Sequence, residues 1–313
     1  MSQIWKVGPP LPAVNLPETS LAPDWKQANP KSIARALKRA LARPHGNWYV
    51  VDASRRIGKK PRRFRIAGED LVAWRANGET LMASDTCPHM GASLTESCVK
   101  EGKLICPWHG LALGKEGHGA WKPCAVHDDG VLTWVRLGEG DPETPKPVLA
   151  PRPEVFMEGV IRMEARCDSA DIIANRLDPW HGAHYHPYSF ASLSVIDLND
   201  DMLKVRVAKR LIGRMCIETD ATFHSPEPRT IVMTIVAGEG RGSVVETHAT
   251  PIEPGRTAII EATLATSDRK GFRRAMKLRP FIRPFIERSA RRLWVDDAAY
   301  AERLYALRGG PPA

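Results

Sequence analysis

Two short loops of the sequence each carry a sulfur and a nitrogen ligand. Cys87 and His89 are two residues apart, and Cys106 and His109 are three apart. A proline follows each cysteine and stiffens the loop, and a glycine further on permits a tight turn. Two rigid loops, each with one thiol and one imidazole, predict a mixed site with two sulfur and two nitrogen ligands.

The residue types leave three interpretations of this set. The thiols could be buried and the histidines exposed, with no metal between them. A structural zinc ion also accepts two cysteines and two histidines, but zinc fingers usually pair cysteine with cysteine and histidine with histidine. A [2Fe-2S] cluster with two histidines on one iron suits two loops that each mix the two ligand types.

A second stretch, NRLDPWHGAHYHP at residues 175–187, concentrates histidines beside an aspartate. On a helix His181 shares a face with Asp178 and with His184. His186 lies about 140° round an ideal helix from His181, so it can join the same metal only if the helix ends or distorts there. The residue types alone do not choose between His184 and His186, and a histidine-rich helix end without metal is the alternative.

A third ligand could come from the end of the chain. WVDDAAYAERLYA at residues 294–306 offers Asp296 and Asp297. Neighbouring residues on a helix point about 100° apart, so only one of the two can face a given metal. Either one could instead be a helix N-terminal acid, which stabilises the helix dipole by about 0.3–1 kcal/mol.

These strings resemble a known family. C-P-H-M-G-A-S-L-T and C-P-W-H-G resemble the Rieske iron–sulfur motif over residues 45–140, without the extra cysteine pair of respiratory Rieske proteins. N-x-x-D-x-x-H-x-x-x-x-H resembles the mononuclear-iron motif of the Rieske non-haem iron oxygenases of the ring-hydroxylating type. The second motif begins at Asn175.

For the front motif, the resemblance implies a [2Fe-2S] cluster. Cys87 and Cys106 would bind one iron, and His89 and His109 the other. Neutral imidazoles in place of thiolates raise the reduction potential of such a cluster.

For the rear motif, the resemblance implies mononuclear Fe(II) held by His181, His186 and a carboxylate, with positions left open for oxygen and substrate. Family members often show Glu-Asp, with the aspartate as ligand, which favours Asp297, although this chain has Asp296 where glutamate is common. Asp178 would not bind iron. It would lie between this centre and a Rieske histidine of a neighbouring subunit, conduct electrons and orient the histidine.

The elements that must position these residues form two unequal domains. Short strand-like runs between residues 47 and 138 predict a small all-β domain, and five prolines mark a linker. Residues 163–186 have a helical pattern, alternating runs after them predict an antiparallel sheet, and residues 268–308 have helical spacing. Pro280 and Pro284 should kink or interrupt that last helix.

The predicted fold class is α+β, with an all-β Rieske domain followed by a helix-grip-like catalytic domain of antiparallel sheet and helix. We expect an N-terminal arm and helix at residues 1–44 and the Rieske domain at residues 45–140. A linker at residues 141–154 then leads to the catalytic domain at residues 155–313.

The composition indicates the class of protein, its compartment and the kind of partner it would bind. The chain has 313 residues, 43% hydrophobic and 26% charged, which is typical of a soluble globular protein. Six cysteines are too few for a disulfide scaffold, and we expect a cytoplasmic protein without a signal peptide or a transmembrane segment. The net charge of +9 favours an acidic protein partner over nucleic acid.

The expected function is that of a terminal oxygenase component. We find no glycine-rich nucleotide motif, so electrons must come from a ferredoxin or a ferredoxin reductase. The iron would activate O2 for hydroxylation, dihydroxylation, desaturation or demethylation of an apolar organic substrate, and the family commonly forms homotrimers. The alternatives are a Rieske-type electron-transfer or redox-sensing protein with a non-catalytic ligand-binding domain, and a zinc-stabilised binding protein.

Overall fold

The computed structural model describes residues 5–6, 24–138, 142–199, 202–212 and 215–310. Most of the arm expected before residue 30 lies outside these described residues. In the described parts, a β-rich first half precedes a second half of sheet and helix, which confirms the predicted α+β class. No helix in these ranges is both long and apolar enough to cross a lipid bilayer.

The first half consists of short antiparallel sheets. They are ordered β2–β10–β9, β3–β4–β5 and β6–β7–β8. The elements up to this point are β1 (Trp5–Lys6), α1 (Asp24–Gln27), α2 (Pro30–Leu41), β2 (Trp48–Ala53), β3 (Arg62–Ile66), β4 (Glu69–Ala76), β5 (Glu79–Ser84), β6 (Cys98–Lys100), β7 (Lys103–Ile105), β8 (Ala112–Leu113), β9 (Val126–Asp128) and β10 (Leu132–Arg136).

The second half is built on one large antiparallel sheet in the order β11–β17–β16–β15–β14–β13–β12, with β1 alongside β14 in parallel. Its elements are β11 (Met157–Ala165), α3 (Ser169–Arg176), α4 (Gly182–Tyr185), β12 (Phe190–Leu198), β13 (Met202–Ile212), β14 (Met215–Glu227), β15 (Thr230–Gly238), β16 (Val244–Glu253), β17 (Arg256–Ala265), α5 (Phe272–Ala275) and α6 (Arg279–Leu307).

Both faces of this sheet are covered around β17. On β17, Ile259 packs in a cluster with Ile172 of α3 and Trp294 of α6, whereas its neighbour Ile260 packs in a cluster with Trp134 of β10. Successive residues of a strand point to opposite faces, so α3 and α6 cover one face and the first half covers the other. This shared core fixes the helices that carry the candidate site residues.

The helical pattern expected from residue 163 was wrong for its first three residues, which end strand β11. Val160 and Ile161 of this strand are both buried because the sheet is covered on both faces. The period-two alternation that marks a half-exposed strand is therefore lost. The helix begins only at Ser169, where Asp168 and Asp171 form a capping box.

The expected interruption of the last helix at its prolines does not occur. Pro280 lies in the first turn of α6, where its missing N–H costs nothing, and α6 continues through Pro284 to Leu307. The carbonyl that Pro284 leaves without a helical partner belongs to Pro280, which is exposed and can be solvated.

Helix α2 packs on the second half of the chain. Asn29 caps it by accepting a hydrogen bond from the Lys31 N–H, and Ala40 is buried in the cluster that contains Ile172 and Trp294. The short helix α1 precedes it and lies against the histidine-rich segment. The segment before residue 44 therefore supports the rear half of the fold.

Two candidate metal centres

The two cysteine loops form the same pattern of backbone hydrogen bonds. Cys87 N–H donates to Ala92 O at 2.8 Å, and Gly91 N–H donates to Cys87 O at 2.9 Å. Cys106 N–H donates to Leu111 O at 2.9 Å, and Gly110 N–H donates to Cys106 O at 3.0 Å. Gly91 and Gly110 have φ of 82° and 76°, which favours glycine. The loops between β5 and β6 and between β7 and β8 thus have the same backbone conformation around their cysteines.

Within these loops the sulfurs point inward and the imidazoles outward. Cys87 and Cys106 are free thiols that are 2% and 3% exposed. His89 and His109 are exposed, and their ring centroids are 4.8 Å apart. The four predicted residues therefore converge, with the nitrogen ligands at the surface.

The backbone favours sulfur ligands in their ionised form. Burial raises the pKa of Cys87, although the N–H of His89 acts in the opposite direction. Burial also acts to raise the pKa of Cys106, but hydrogen bonds from the Trp108 N–H, from Cys87 and from the His109 N–H bring it below the usual value. Such N–H donors stabilise thiolate, so the donor set fits an iron–sulfur cluster.

The histidine-rich segment is a broken helix. After α3 the chain forms a 3-10 turn at Pro179–His181, then the single turn of α4, and His186 follows with φ of −120° and ψ of 53°. This is the break that His186 needs to join His181, and the two ring centroids are 5.5 Å apart.

Asp297 on α6 completes a three-residue cluster with these histidines. Its Oδ1 atom lies 3.1 Å from His181 Nε2 and 3.0 Å from His186 Nε2, although 111 residues separate it from His186. The three candidate ligand atoms all lie within 4.8 Å of one another. His186 and Asp297 are buried while His181 is partly exposed, so the cluster is open on one side. This geometry fits a two-histidine, one-carboxylate metal site.

The charges around the cluster favour a positive charge at its centre. Burial lowers the pKa of His181, but the carboxylates of Asp178 and Asp297 outweigh burial and raise it to about 9. Burial raises the pKa of Asp297, but hydrogen bonds with His181 and His186 hold it well below its usual range. A divalent cation would supply the positive charge that these groups favour.

A carboxylate and a tyrosine lie behind His181. Asp178 Oδ2 is 3.6 Å from His181 Nδ1 and accepts a hydrogen bond of 3.1 Å from the Tyr300 hydroxyl. Asp178 Oδ1 is buried and has no hydrogen-bond partner among the residues described.

The same arrangement recurs behind His186. Asp296 Oδ2 is 3.4 Å from His186 Nδ1 and accepts a hydrogen bond of 2.5 Å from the Tyr188 hydroxyl. The two neighbouring aspartates of α6 thus reach opposite nitrogens of one imidazole, and only Asp297 points into the cluster. Asn175 supports it from α3 by donating to Asp297 Oδ1 at 3.3 Å.

The remaining histidine of the segment points elsewhere. The His184 side chain is 72% exposed, and its Nε2 lies 2.9 Å from Asp24 Oδ2 on α1. Trp180 Nε1 donates to Gln27 Oε1 on the same helix at 3.1 Å.

Sequence reasoning missed α1 as a support for this segment. It also missed Tyr300, although its spacing of three residues from Asp297 could have revealed it.

An apolar wall extends from this centre along the helix side of the sheet. It is formed by side chains on β12 to β15 that are partly or fully buried, namely Leu193, Val195, Leu203, Val205, Ala221, Phe223 and Met233. A cavity of about 210 Å³ lies between α2 and this wall. Its lining includes the apolar Leu177, Leu203 and Phe223 and the basic Arg35, Arg39 and Arg43.

Comparison with known proteins matches the two halves of the chain to different families. Residues 47–135 match the Rieske [2Fe-2S] domain family, and residues 138–311 match a domain of unknown function, DUF5914. The chain shares 32% identity over 171 residues with a vanillate O-demethylase oxygenase subunit. This relative, from Pseudomonas sp. (strain HR199 / DSM 7063), is aligned over 48% of its own length and 49% of this chain. The chain thus spans about half the length of this curated relative.

Solved structures share the fold. The crystal structure of dicamba monooxygenase bound to dicamba superposes with a TM-score of 0.65 at 17% identity, over 87% of this chain and 92% of that one. The oxygenase in the reduced complex with ferredoxin of carbazole 1,9a-dioxygenase gives a TM-score of 0.56 at 15% identity, over 90% and 85%. The all-β domain followed by sheet and helix is thus the fold of these oxygenases.

Proposed function

This chain belongs to the Rieske non-haem iron oxygenases, and we propose that it is a terminal oxygenase component that oxidises an organic substrate with O2. One observation carries the proposal: His181, His186 and Asp297 converge on one point in a chain that also pairs two Cys/His loops. A protein that only carried electrons would need the loops and not the second cluster.

We assign one metal group to each centre. Cys87, Cys106, His89 and His109 would hold a [2Fe-2S] cluster, and His181, His186 and Asp297 would hold Fe(II). When bound, the cluster supplies one-electron transfer and the Fe(II) supplies O2 activation.

The other residues of the rear centre position its ligands. Asp178, which accepts a hydrogen bond from Tyr300, would orient the ring of His181, and Asp296, which accepts one from Tyr188, would orient that of His186. Asn175 holds the carboxylate of Asp297 from the side of α3.

A neighbouring copy of the chain is part of the proposal. Asp178 Oδ2 lies 3.6 Å from His181 Nδ1, and the resemblance to the Rieske non-haem iron oxygenases implies that this carboxylate connects two subunits. We therefore propose that Asp178 connects the rear centre to a Rieske histidine of a neighbour in a homotrimer.

A small redox protein is the proposed electron donor. Beside the exposed His89 and His109, Met90 is 63% and Trp108 58% exposed, which gives this surface an apolar contact area. A net charge of +9 suits an acidic ferredoxin or ferredoxin reductase.

The substrate would lie against the apolar wall and the adjoining cavity of about 210 Å³. The leucine, valine, phenylalanine and methionine side chains of the wall favour an apolar body, whereas the cavity also presents Arg35, Arg39 and Arg43. The proposed outcomes are hydroxylation, dihydroxylation, desaturation or demethylation.

Iron content tests the proposal. We expect about three irons per chain when iron is supplied anaerobically, and about two in His181→Ala with the cluster absorbance intact. His184→Ala is the matched control and should keep all three, because His184 faces Asp24. Two irons in the unaltered protein would instead support an electron carrier. Oxygen uptake with a surrogate reductase, followed by product mass, would identify the reaction.

A further inference from the structure

A strongly basic segment leads from the large sheet into the last helix. Residues 269–286 contain seven lysines and arginines and no aspartate or glutamate. Two of the seven form ion pairs, Arg269 with Glu239 and Arg283 with Glu158. The other five are exposed, and their side chains form no ion pair within the described ranges, namely Lys270, Arg273, Arg274, Lys277 and Arg279.

Three large apolar side chains protrude from the same segment. Leu278 is 55%, Phe281 73% and Phe285 74% exposed. Phe281 and Phe285 lie one turn apart on α6 and share a face of the helix. Ala290 and Trp294, which are buried in the core, lie about 140–180° round the helix from both phenylalanines. The two rings therefore point away from the body of the protein.

Together these side chains form what we call the Phe281 ridge, which consists of Leu278, Phe281 and Phe285 and the five exposed cations without ion pairs. Exposed phenylalanine and leucine combined with lysine and arginine are typical of helices that lie on the surface of an anionic bilayer. The cations attract the lipid headgroups, and the apolar side chains enter the layer beneath them. Charge complementarity thus favours an anionic lipid surface as the occupant of this ridge.

Two other occupants fit the Phe281 ridge less well. The chain has a net charge of +9, so a second copy could oppose the ridge only with a local acidic patch. An acidic redox protein already has a proposed surface at Met90 and Trp108. A protein partner would also need pockets shaped for rings that project from a convex helix, whereas hydrocarbon receives them without a matched shape.

We propose that the Phe281 ridge docks the protein on the surface of a membrane that contains anionic lipid. Leu278, Phe281 and Phe285 would enter the boundary between headgroups and acyl chains, and the cations would contact lipid phosphates. Phe285 precedes Asp297 by about 18 Å along α6, so docking at the ridge leaves the rear centre clear. Docking would bring the proposed oxygenase to the phase in which apolar compounds accumulate, and that consequence alone rests on the proposed function.

Flotation with lipid vesicles tests this assignment without turnover. The full-length, metal-loaded protein is mixed with vesicles of phosphatidylcholine alone or with about 30% phosphatidylglycerol. We expect at least about tenfold stronger binding to the anionic vesicles, weakened by added salt. The double substitution Phe281→Ser/Phe285→Ser should reduce this binding at least about tenfold, with iron content and helicity unchanged. Lys277→Gln/Arg279→Gln should lower the preference for anionic vesicles at least about fivefold.

Leu307→Ser is the matched control, because Leu307 is 63% exposed at the other end of α6, and it should bind vesicles like the unaltered protein. Equal binding of the unaltered protein to both kinds of vesicle, or unchanged binding of the double serine variant, would overturn the assignment. So would dissociation of an oligomer by the serine substitutions without lipid, which would identify a contact between copies. Slower reduction of the cluster by a ferredoxin in that variant, without any lipid binding, would instead identify an acidic protein partner. The proposed function fails separately, by iron content or oxygen uptake.

Discussion

Asp296 and His186 face each other on the side of the imidazole away from the metal cluster, with Asp296 Oδ2 3.4 Å from His186 Nδ1. Asp297 Oδ1 lies 3.0 Å from the other nitrogen, Nε2. One histidine is thus held between two neighbouring carboxylates. We interpret Asp297 as the metal ligand and Asp296 as the group that orients the ring.

Exchanging either carboxylate for an amide should separate these two roles. Asp297→Asn should lose the rear iron, because it removes a charged ligand. Asp296→Asn should keep the site but weaken iron binding by about 10–100-fold, which is typical for loss of an outer-shell partner. Competition with a graded series of chelators measures the affinity. Equal iron loss in both variants would contradict the assignment.

Helix α6 must approach β11 closely to place these aspartates. A Cβ atom added at Gly159 would lie 2.6 Å from Ile286 Cγ2, so Gly159→Ala should be overpacked and lose about 1–3 kcal/mol of unfolding free energy. Urea unfolding followed by circular dichroism measures the change. Gly271→Ala is the control, because a Cβ there meets nothing within 4 Å.

Trp294 anchors the same helix through a buried polar contact. Its Nε1 donates to Glu261 Oε2 at 2.6 Å. Trp294→Phe removes this donor, leaves the buried carboxyl group short of a partner and should cost about 1–3 kcal/mol beyond the lost ring contacts. The unfolding midpoint checks this expectation. A double variant with Glu261→Gln should show less than the sum of the two single effects.

Acid should weaken the buried ion pair between Glu246 on β16 and Arg152. Burial raises the pKa of Glu246, but hydrogen bonds from Arg152 and His248 outweigh burial and lower it from 4.5 to about 2. A carboxyl whose pKa is lower in the folded state stabilises the fold above its unfolded pKa and loses this effect as pH falls. The contribution of about 3 kcal/mol should therefore be complete above about pH 5 and decline towards pH 2.

The difference in unfolding free energy between the unaltered protein and Glu246→Gln measures this contribution. Both proteins lose their acid-labile metal groups over the same range, so the difference isolates Glu246. A difference that stays constant between pH 6 and pH 3 would contradict the expected direction.

Much of the rear site could be predicted because its residues carry local signals. The need for a helix break before His186 follows from its angular offset from His181 on an ideal helix, and the structure breaks the helix there. The sequence also allows Asp297 to be preferred over Asp296 as the residue that faces the cluster. Asp297 falls on the buried stripe of α6 that contains Trp294, Ala298 and Ala301, whereas Asp296 falls beside it.

Other features could not be predicted because distant parts of the chain determine them. Strand β11 loses its alternation only because both faces of the sheet are covered, which no local window shows. The contact between His184 and Asp24 joins residues 160 positions apart.

The spacing of ligands along the chain sets the order in which the two centres can mature. Cys87 and Cys106 lie close together in the sequence within one small unit, so the front group can be inserted while the rest of the polypeptide is still being synthesised. Asp297 follows His186 by 111 residues and arrives on the final helix. Under the proposed assignment, all three rear residues can hold an ion only after α6 has been synthesised and has docked, so this centre would be completed after the front one.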